Sequence, residues 1–147
     1  MPARRLLALV CLMAVGLLVA IAAGCGGDSG SSPGTGRSLD VELTEFTVEP
    51  ELNSVPAGAV TFSVKNKGKI AHDFLVIRTD LALDALPVQN GAVVPDGVEV
   101  NVLGVSDTLL PGASDKVPVD LVPGGYVLIC NIPTHYESGM RTAFVAE

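Results

Sequence analysis

Short segments in which apolar and polar residues alternate, separated by turns, are the feature that most restricts the fold of this chain. Val60, Phe62 and Val64 alternate with polar residues, which is the period of a half-buried β-strand. Turn signals such as those at Pro56 and Pro111 separate segments of this kind, and the 16 Gly and 10 Pro of the chain recur too often for long helices. The pattern predicts an all-β domain built as a β-sandwich of about seven to eight strands.

Four local departures from simple alternation refine this prediction. The phase of the apolar residues changes at Thr44-Glu45, which indicates a bulge or bend. The continuous apolar run 74–77 indicates a strand covered on both faces. Pro118 lies inside an alternating segment and indicates an edge strand or a bulge. The segment 80–96 is predicted to be an irregular insert, with a short helix possible over 81–86.

The N-terminus has the pattern of an export signal. Arg4 and Arg5 precede an uninterrupted run of apolar residues and Gly over 6–23, which matches the basic and apolar regions of a signal peptide. We therefore assign 1–24 as a signal peptide and expect the domain that follows to be exported. An uncleaved membrane helix is the alternative, because the run is near the lower length limit for spanning a bilayer.

The small residues that precede Cys25 resemble a bacterial lipobox, in which the cysteine becomes the lipid-modified first residue of the mature protein. Ala22 departs from the Leu that lipoproteins usually carry at this position. Residues 25–37 are rich in Gly and Ser and predict a flexible tether between a lipidated Cys25 and a domain at 38–147. The expected location is the outer face of the cell membrane or the periplasm.

Charge and cysteine content exclude two classes of protein. The chain has a formal charge of −7, and loss of Arg4 and Arg5 with the signal would leave −9, so a nucleic-acid partner is disfavoured. The three cysteines lie at Cys11 in the apolar run, Cys25 at the processing site and Cys130 alone in the domain. This distribution argues against a disulfide framework.

The loop from Cys130 to Met140 concentrates the metal-binding potential of the sequence. It holds a thiol, the imidazole of His135 and a thioether within eleven residues. Soft sulfur donors with imidazole favour copper held by two His and one Cys, with a weak axial Met. The chain contains only one other histidine, His72. Each residue also has an ordinary interpretation, since an isolated Cys or Met commonly fills a core and an isolated His commonly lies in a solvated loop.

The spacing Cys-x4-His-x4-Met after a Tyr-containing strand, with an upstream His that opens an apolar strand, resembles the cupredoxins, or blue copper proteins. The resemblance covers about 39–147, and the loop spacing is similar to that of rusticyanin-like members. It implies a Greek-key β-sandwich and one type 1 copper ion. The implied metal ligands are His72, Cys130, His135 and Met140.

The resemblance also implies a hydrogen-bonded link between Asp73 and Asn131, which follow the first His and the Cys. Links of this kind hold metal ligands in place. Asp73 stands where cupredoxins usually carry Asn, so a solvated carboxylate is the alternative. Thr134 is a second departure, because Gly often precedes the second His.

The implied function is transfer of single electrons between redox proteins, such as a cytochrome, oxidase or reductase that docks near His135. A small apolar surface of Ile132, Pro133 and Tyr136 is predicted around this residue. The expected state is a monomer anchored to the membrane by its lipid. The alternative function is storage, delivery or sensing of copper by the same ligands.

The sequence lacks the residues that the candidate enzyme classes require. A trinuclear copper oxidase needs many histidines, and a binuclear purple copper site needs a second Cys in the loop. Ser138 is the only loop residue that a hydrolytic triad would use, and no nucleophile elbow surrounds it. We therefore expect no enzyme activity.

Overall fold

The computed structural model describes residues 36–94 and 99–147 of the chain. The predicted signal peptide, Cys25 with nearly all of the tether, and residues 95–98 lie outside the described residues. The described residues contain no helix, and thus none of the length and apolar character that crossing a membrane requires. They form eleven strands, which are β1 Arg37–Thr44, β2 Thr47–Pro50, β3 Ser54–Val55, β4 Gly58–Asn66, β5 Leu75–Arg78, β6 Val88–Gln89, β7 Ala92–Val93, β8 Asn101–Val105, β9 Ser114–Leu121, β10 Gly124–Ile129 and β11 Arg141–Ala146.

Two sheets pack against each other around one main core. The first sheet has the strand order β2-β1-β4-β9, and the second has the order β3-β11-β10-β5-β8. Phe62 of the first sheet packs its ring against that of Phe144 in the second, with 5.4 Å between ring centroids. Phe74 meets Phe62 at 5.5 Å. The predicted all-β sandwich is confirmed, with more strands than the seven to eight expected because several strands have only two residues.

The alternating segments form strands with one buried face. In β4, Val60, Phe62 and Val64 are buried and the residues between them are not. The phase change at Thr44-Glu45 was predicted to be a bulge or bend, and the structure shows a hairpin in which Thr44 pairs with Thr47. A tight turn and a bulge both shift the phase of alternation, so the sequence pattern does not separate them.

The strand β5 is covered on both faces, as predicted. Val76 contacts the main core, whereas Leu75 and Ile77 belong to a second buried cluster on the other face of the sheet. The insert contributes Leu86 and Val93 to this second cluster. Covering both faces explains why β5 has a continuous apolar sequence.

The insert itself is irregular, and a helix over 81–86 is not observed. The described residues 80–94 form turns and a two-residue hairpin of β6 and β7. The turn has a backbone hydrogen bond from Ala85 N–H to the Ala82 carbonyl at 2.9 Å. A six-residue segment followed by Pro87 is too short to pay the nucleation cost of an α-helix.

Pro118 lies on β9, which is the edge strand of the first sheet. The prediction of an edge position is therefore confirmed. Proline has no N–H for a second neighbour, and here β9 pairs on one side only, with Pro118 opposite Thr61 of β4.

Candidate metal centre

His72 lies between β4 and β5, at the end of the sandwich where the Cys130 loop also lies. Its backbone pairs with Leu109 through hydrogen bonds of 3.0 and 2.7 Å. The buried amide of Asn66 supports the same region, since its Nδ2 donates to the carbonyls of Ile70 and Leu109 at 2.8 Å each. These contacts hold His72 in a fully buried position.

The second ligand segment is a closed loop between β10 and β11. Cys130 N–H donates to the Met140 carbonyl at 3.1 Å, and Met140 N–H donates to the His135 carbonyl at 3.0 Å. Gly139 has a φ of 106° just before Met140, a conformation that favours glycine. The two ends of the loop, Cys130 and Met140, therefore lie next to each other.

The ring and sulfur atoms of three residues converge. His72 Nδ1 lies 3.3 Å from His135 Nδ1. Cys130 Sγ lies 3.4 Å from His135 Nδ1 and 3.9 Å from His72 Nδ1. Donor atoms that share one ion at bonds of about 2.0–2.3 Å lie within roughly 4 Å of one another. The three donors meet this condition, and among the described residues they form a group that could hold a metal ion.

Met140, the fourth predicted donor, lies in the core. Its side chain is fully buried and belongs to the same apolar cluster as Cys130. Its backbone is bonded to Cys130 and His135. Two imidazoles, one thiol and one thioether at one end of a β-sandwich fit a single type 1 copper ion.

Burial controls the charge of the free donors. Burial raises the pKa of the Cys130 thiol to about 12, with the N–H of Asp73 acting in the opposite direction. Burial, followed by the nearby His135, lowers the pKa of His72. Without metal, both groups are neutral at pH 7. The site therefore presents uncharged imidazole and a thiol whose proton a metal must displace.

Asp73 joins the two ligand segments. Its Oδ1 accepts a hydrogen bond of 2.5 Å from the backbone N–H of Asn131. Its own N–H points at Cys130 Sγ at 3.4 Å. The contact between Asp73 and Asn131 uses the backbone of Asn131, because the side chain of Asn131 bonds instead to Val93 through Oδ1 at 2.7 Å and Nδ2 at 3.1 Å.

The insert supports the ligand loop, a role that was not predicted from the sequence. The Gly91 carbonyl accepts a hydrogen bond of 2.7 Å from Thr134 N–H. The hydroxyl of Tyr136 accepts from Leu86 N–H at 3.1 Å and donates to the Leu83 carbonyl at 3.0 Å. The sequence signal for this role was weak, since it consisted only of a Tyr with a polar tip inside an apolar loop.

Thr134 adopts a φ of 75°, the left-handed region in which β-branched residues are uncommon. This explains why the Gly that often precedes the second His in cupredoxins suits the position. The bond from Thr134 N–H to Gly91 and a bond of 2.9 Å from Ser138 N–H to the Thr134 carbonyl hold Thr134 in place.

The surface near His135 differs from the expectation in one residue. Tyr136 is only 2% exposed and turns into the second cluster, so it contributes no ring to the surface. Phe46 lies there instead, with its ring 5.3 Å from the His135 ring and nearly perpendicular to it. Phe46 is 39% exposed, whereas His135 is 7% exposed. The hairpin between β1 and β2 brings Phe46 to the site, which local sequence does not reveal.

No protein-family model matches the sequence, and no curated protein matches it significantly. Solved structures do match. Auracyanin from Roseiflexus castenholzii is 21% identical, with a TM-score of 0.59 over 78% of this chain and 99% of its own. Auracyanin A, a "blue" copper protein from Chloroflexus aurantiacus, is 20% identical with a TM-score of 0.53 over 75% and 99%. Rusticyanin from Thiobacillus ferrooxidans is 17% identical with a TM-score of 0.54 over 77% and 79%.

These matched proteins are cupredoxins, and each match extends over about three quarters of this chain. At an identity near 20%, these matches show a shared fold. The convergence of the donor atoms is observed in the structure itself. The chain has the cupredoxin fold, with His72, Cys130, His135 and Met140 at one end of its sandwich.

Proposed function

We propose that this protein is a membrane-tethered, mononuclear type 1 copper protein that carries single electrons between redox partners. The observation that carries the proposal is the convergence of His72 Nδ1, His135 Nδ1 and Cys130 Sγ within 3.9 Å, beside the buried Met140. Copper bound there would supply a one-electron couple. The chain's own contribution is to hold the four donors in one arrangement.

The rigidity of the donor positions favours electron transfer. The Asp73 carboxylate ties the His72 segment to the Cys130 loop, and the backbone of Met140 is bonded to both other loop ligands. Donors fixed before the metal binds need little rearrangement when its oxidation state changes. A fixed donor set of this kind suits a carrier, because the rate of electron exchange falls as more atoms must move.

Burial of the ligands argues against copper delivery as the main function. His72, Cys130 and Met140 are fully buried and His135 is nearly so. A protein that hands its metal to an acceptor must let the acceptor's ligands reach the ion during the exchange. Auracyanin A and rusticyanin, which match this fold, are described as copper proteins, and this supports copper as the metal for either function.

The proposed electron route leaves the site through His135, the most exposed of the four ligands. Phe46 packs against this ring and is itself partly exposed. In the same loop, Ile132 is half-buried and Pro133 is exposed. We propose that a redox partner docks on the surface of Phe46, Ile132 and Pro133.

We propose from the sequence that the protein is exported and tethered to a membrane. A signal peptide over 1–24, lipid on Cys25 and a Gly/Ser-rich tether would place the domain outside the cell membrane, free to reorient toward partners. The acidic net charge favours a basic docking surface on the partner. We propose a monomer that acts without enzyme activity of its own.

The decisive experiment is an optical and EPR spectrum of the copper-loaded chain. We expect an intense visible band from sulfur-to-copper charge transfer, and we expect Cys130→Ser to abolish it while the fold persists. Cys25→Ser is the matched control, because it makes the same substitution at a cysteine outside the domain at 38–147 and leaves the site intact. A band that persists in Cys130→Ser would contradict the assignment of Cys130 as a copper ligand.

A second measurement separates electron transfer from copper delivery. An electron carrier gives a reversible one-electron wave and keeps its metal when challenged with a chelator. A delivery protein transfers its copper to the chelator within the time of mixing. Rapid loss of copper without reversible redox cycling would favour the delivery function.

A further inference from the structure

One polar atom of the candidate site is left without a hydrogen bond. His72 directs Nδ1 toward the other donors, and its second ring nitrogen, Nε2, is buried with no hydrogen-bond partner within residues 36–94 and 99–147. The ring itself is fully buried. A buried ring nitrogen without a hydrogen-bond partner costs free energy.

The group that faces Nε2 is the carboxylate of Glu45. Its Oε1 lies 3.7 Å from His72 Nε2, which is within the range of an ion pair and beyond that of a hydrogen bond. Glu45 follows the last residue of β1, and its side chain is 34% exposed. One side of the carboxylate therefore meets solvent while the other faces the buried ring.

The loop that follows β4 holds this carboxylate in place. Oε1 of Glu45 accepts hydrogen bonds from the backbone N–H groups of Lys69 and of Ile70, the latter at 3.1 Å. Asn66 shapes the loop, since its Oδ1 accepts from Gly68 N–H at 2.8 Å and its Nδ2 donates to the Ile70 carbonyl. Two backbone donors on one oxygen fix the carboxylate against rotation away from the ring.

Gly68 leaves the space in which the carboxylate and the ring approach each other. A Cβ at this position would lie 2.5 Å from Glu45 Oε1 and 3.0 Å from His72 Nε2. Both distances are shorter than ordinary van der Waals contact. The absence of a side chain at Gly68 is therefore part of the same arrangement.

We infer that Glu45 is a positioning residue for the metal ligand His72, whose proton it favours on Nε2 so that the lone pair of Nδ1 is free for the metal. A neutral imidazole has one N–H and one acceptor nitrogen. A negative charge opposite Nε2 stabilises the tautomer with the proton on that atom. Carboxylate, histidine and metal then lie in the order that raises the basicity of a ligating imidazole.

The negative charge has a second consequence, which rests on the proposed copper function. A carboxylate behind the ring stabilises Cu(II) more than Cu(I), because the higher charge is attracted more strongly. Glu45 therefore lowers the reduction potential. Loss of a group that orients a metal ligand costs about 10–100-fold in metal affinity.

The test compares Glu45→Gln with Glu49→Gln in the full chain. Both changes remove one negative charge near the same hairpin, but Glu49 is exposed on β2 and has no described contact with His72. Glutamine keeps an oxygen that can accept from Lys69 and Ile70, so the fold is retained. Gly68→Ala is a third variant, which displaces the carboxylate without changing its charge.

The first readout needs no copper. In the metal-free chain at about pH 8, where imidazole is neutral, ¹⁵N NMR should show the Nε2–H tautomer of His72 in the wild type and in Glu49→Gln. Glu45→Gln should increase the share of the Nδ1–H tautomer. An unchanged ratio in Glu45→Gln overturns the inference, whether or not the protein binds copper.

The second readout is the affinity for each oxidation state of copper. We expect Glu45→Gln to weaken Cu(II) binding about tenfold relative to Cu(I), which raises the one-electron potential by about 59 mV. Gly68→Ala should shift the potential in the same direction, and Glu49→Gln should leave it unchanged. Equal shifts in Glu45→Gln and Glu49→Gln would overturn the role of Glu45, whereas a wild type that binds no copper would overturn the proposed function alone.

Discussion

The carboxylate of Asp73 accepts a 2.5 Å hydrogen bond from the backbone N–H of Asn131, the residue that follows Cys130. The bond joins two segments that are 58 residues apart in sequence. Both bonded residues directly follow a candidate metal donor, since His72 precedes Asp73 and Cys130 precedes Asn131. This bond helps to hold the thiol and the first imidazole together, along with the pairing of Leu75 with Ile129 in β5 and β10.

Asp73→Asn separates the geometry of this bond from its charge. The amide oxygen of Asn can still accept from Asn131, but the negative charge near Cys130 Sγ is lost. The charge of Asp73 raises the pKa of the Cys130 thiol, so we expect that pKa to fall in the metal-free variant, as measured by thiolate absorbance. The reduction potential should rise, because less negative charge favours Cu(I).

Two further variants control this prediction. Asp73→Ala removes the acceptor as well and should weaken copper binding about 10–100-fold. Asp120→Asn removes one charge from an exposed position on β9 of the other sheet and should change neither quantity. An unchanged thiol pKa in Asp73→Asn would contradict the assigned electrostatic role.

Copper affinity should depend on pH through the Cys130 thiol. Its pKa of about 12 means that the thiol is protonated at neutral pH, while the metal binds the thiolate. Cu(II) affinity should therefore rise about tenfold for each pH unit between about pH 7.5 and pH 9, with about one proton released per copper. Competition titrations and proton release in weak buffer measure both effects.

The same shift in the thiol pKa makes the stability of the metal-free fold depend on pH. The folded pKa lies above the ordinary thiol value of 9.0, so the metal-free fold is stabilised below pH 9 and loses that stability as pH rises toward 12. His72, whose pKa is lowered, is neutral throughout the proposed range and releases no further proton. A copper affinity that is independent of pH would show that the thiol is not the ligand.

Tyr136→Phe tests the support that the insert gives to the ligand loop. The change removes two hydrogen bonds and leaves the N–H of the buried Leu86 without its partner. The free energy of unfolding should fall by about 2 kcal/mol, as measured by urea denaturation of the metal-free chain. The EPR spectrum of the copper-loaded variant should broaden, because the loop that carries His135 is less firmly held.

Tyr126→Phe is the matched control for this variant. Its hydroxyl also makes two hydrogen bonds, both to the backbone of Val122, and it contacts the main core rather than the ligand loop. It should lower the free energy of unfolding similarly and leave the EPR spectrum unchanged. Identical spectra for the two variants would show that the insert does not stiffen the site.

Met140 should set the potential through the donor atom that it offers. Met140→Gln replaces a thioether with an oxygen donor that favours Cu(II). Cu(II) affinity relative to Cu(I) should rise about tenfold or more, and each tenfold lowers the potential by about 59 mV. Voltammetry of the two copper-loaded proteins measures the difference.

Met140→Leu should shift the reduction potential in the opposite direction from Met140→Gln. Leu has a similar volume and fits the buried position, but it offers no donor, so the potential should rise. If both variants shift the potential in the same direction, Met140 is not an axial ligand.

Strand patterns predicted most of the fold, and their failures have physical reasons. The alternation in β4 and the edge position of Pro118 were confirmed, because burial of one face and the missing N–H act locally. The predicted bulge or bend at Thr44-Glu45 is a hairpin in which Thr44 pairs with Thr47, and the pattern does not separate these cases because each changes the phase of the alternation. The support of the ligand loop by Gly91 and Tyr136 was missed, because the partners in the insert are backbone groups, which any residue could supply.

The sequence by itself determined the donor types and the order of the Cys130, His135 and Met140 loop, because a loop of eleven residues keeps its members close together whatever surrounds it. Only the tertiary structure decided that His72 lies 3.9 Å from Cys130 and that Glu45 and Phe46 lie beside the two imidazoles. These contacts depend on which strands pair and on where the chain forms a hairpin. Strand pairing is a cooperative property of the whole sandwich, so no local pattern encodes it.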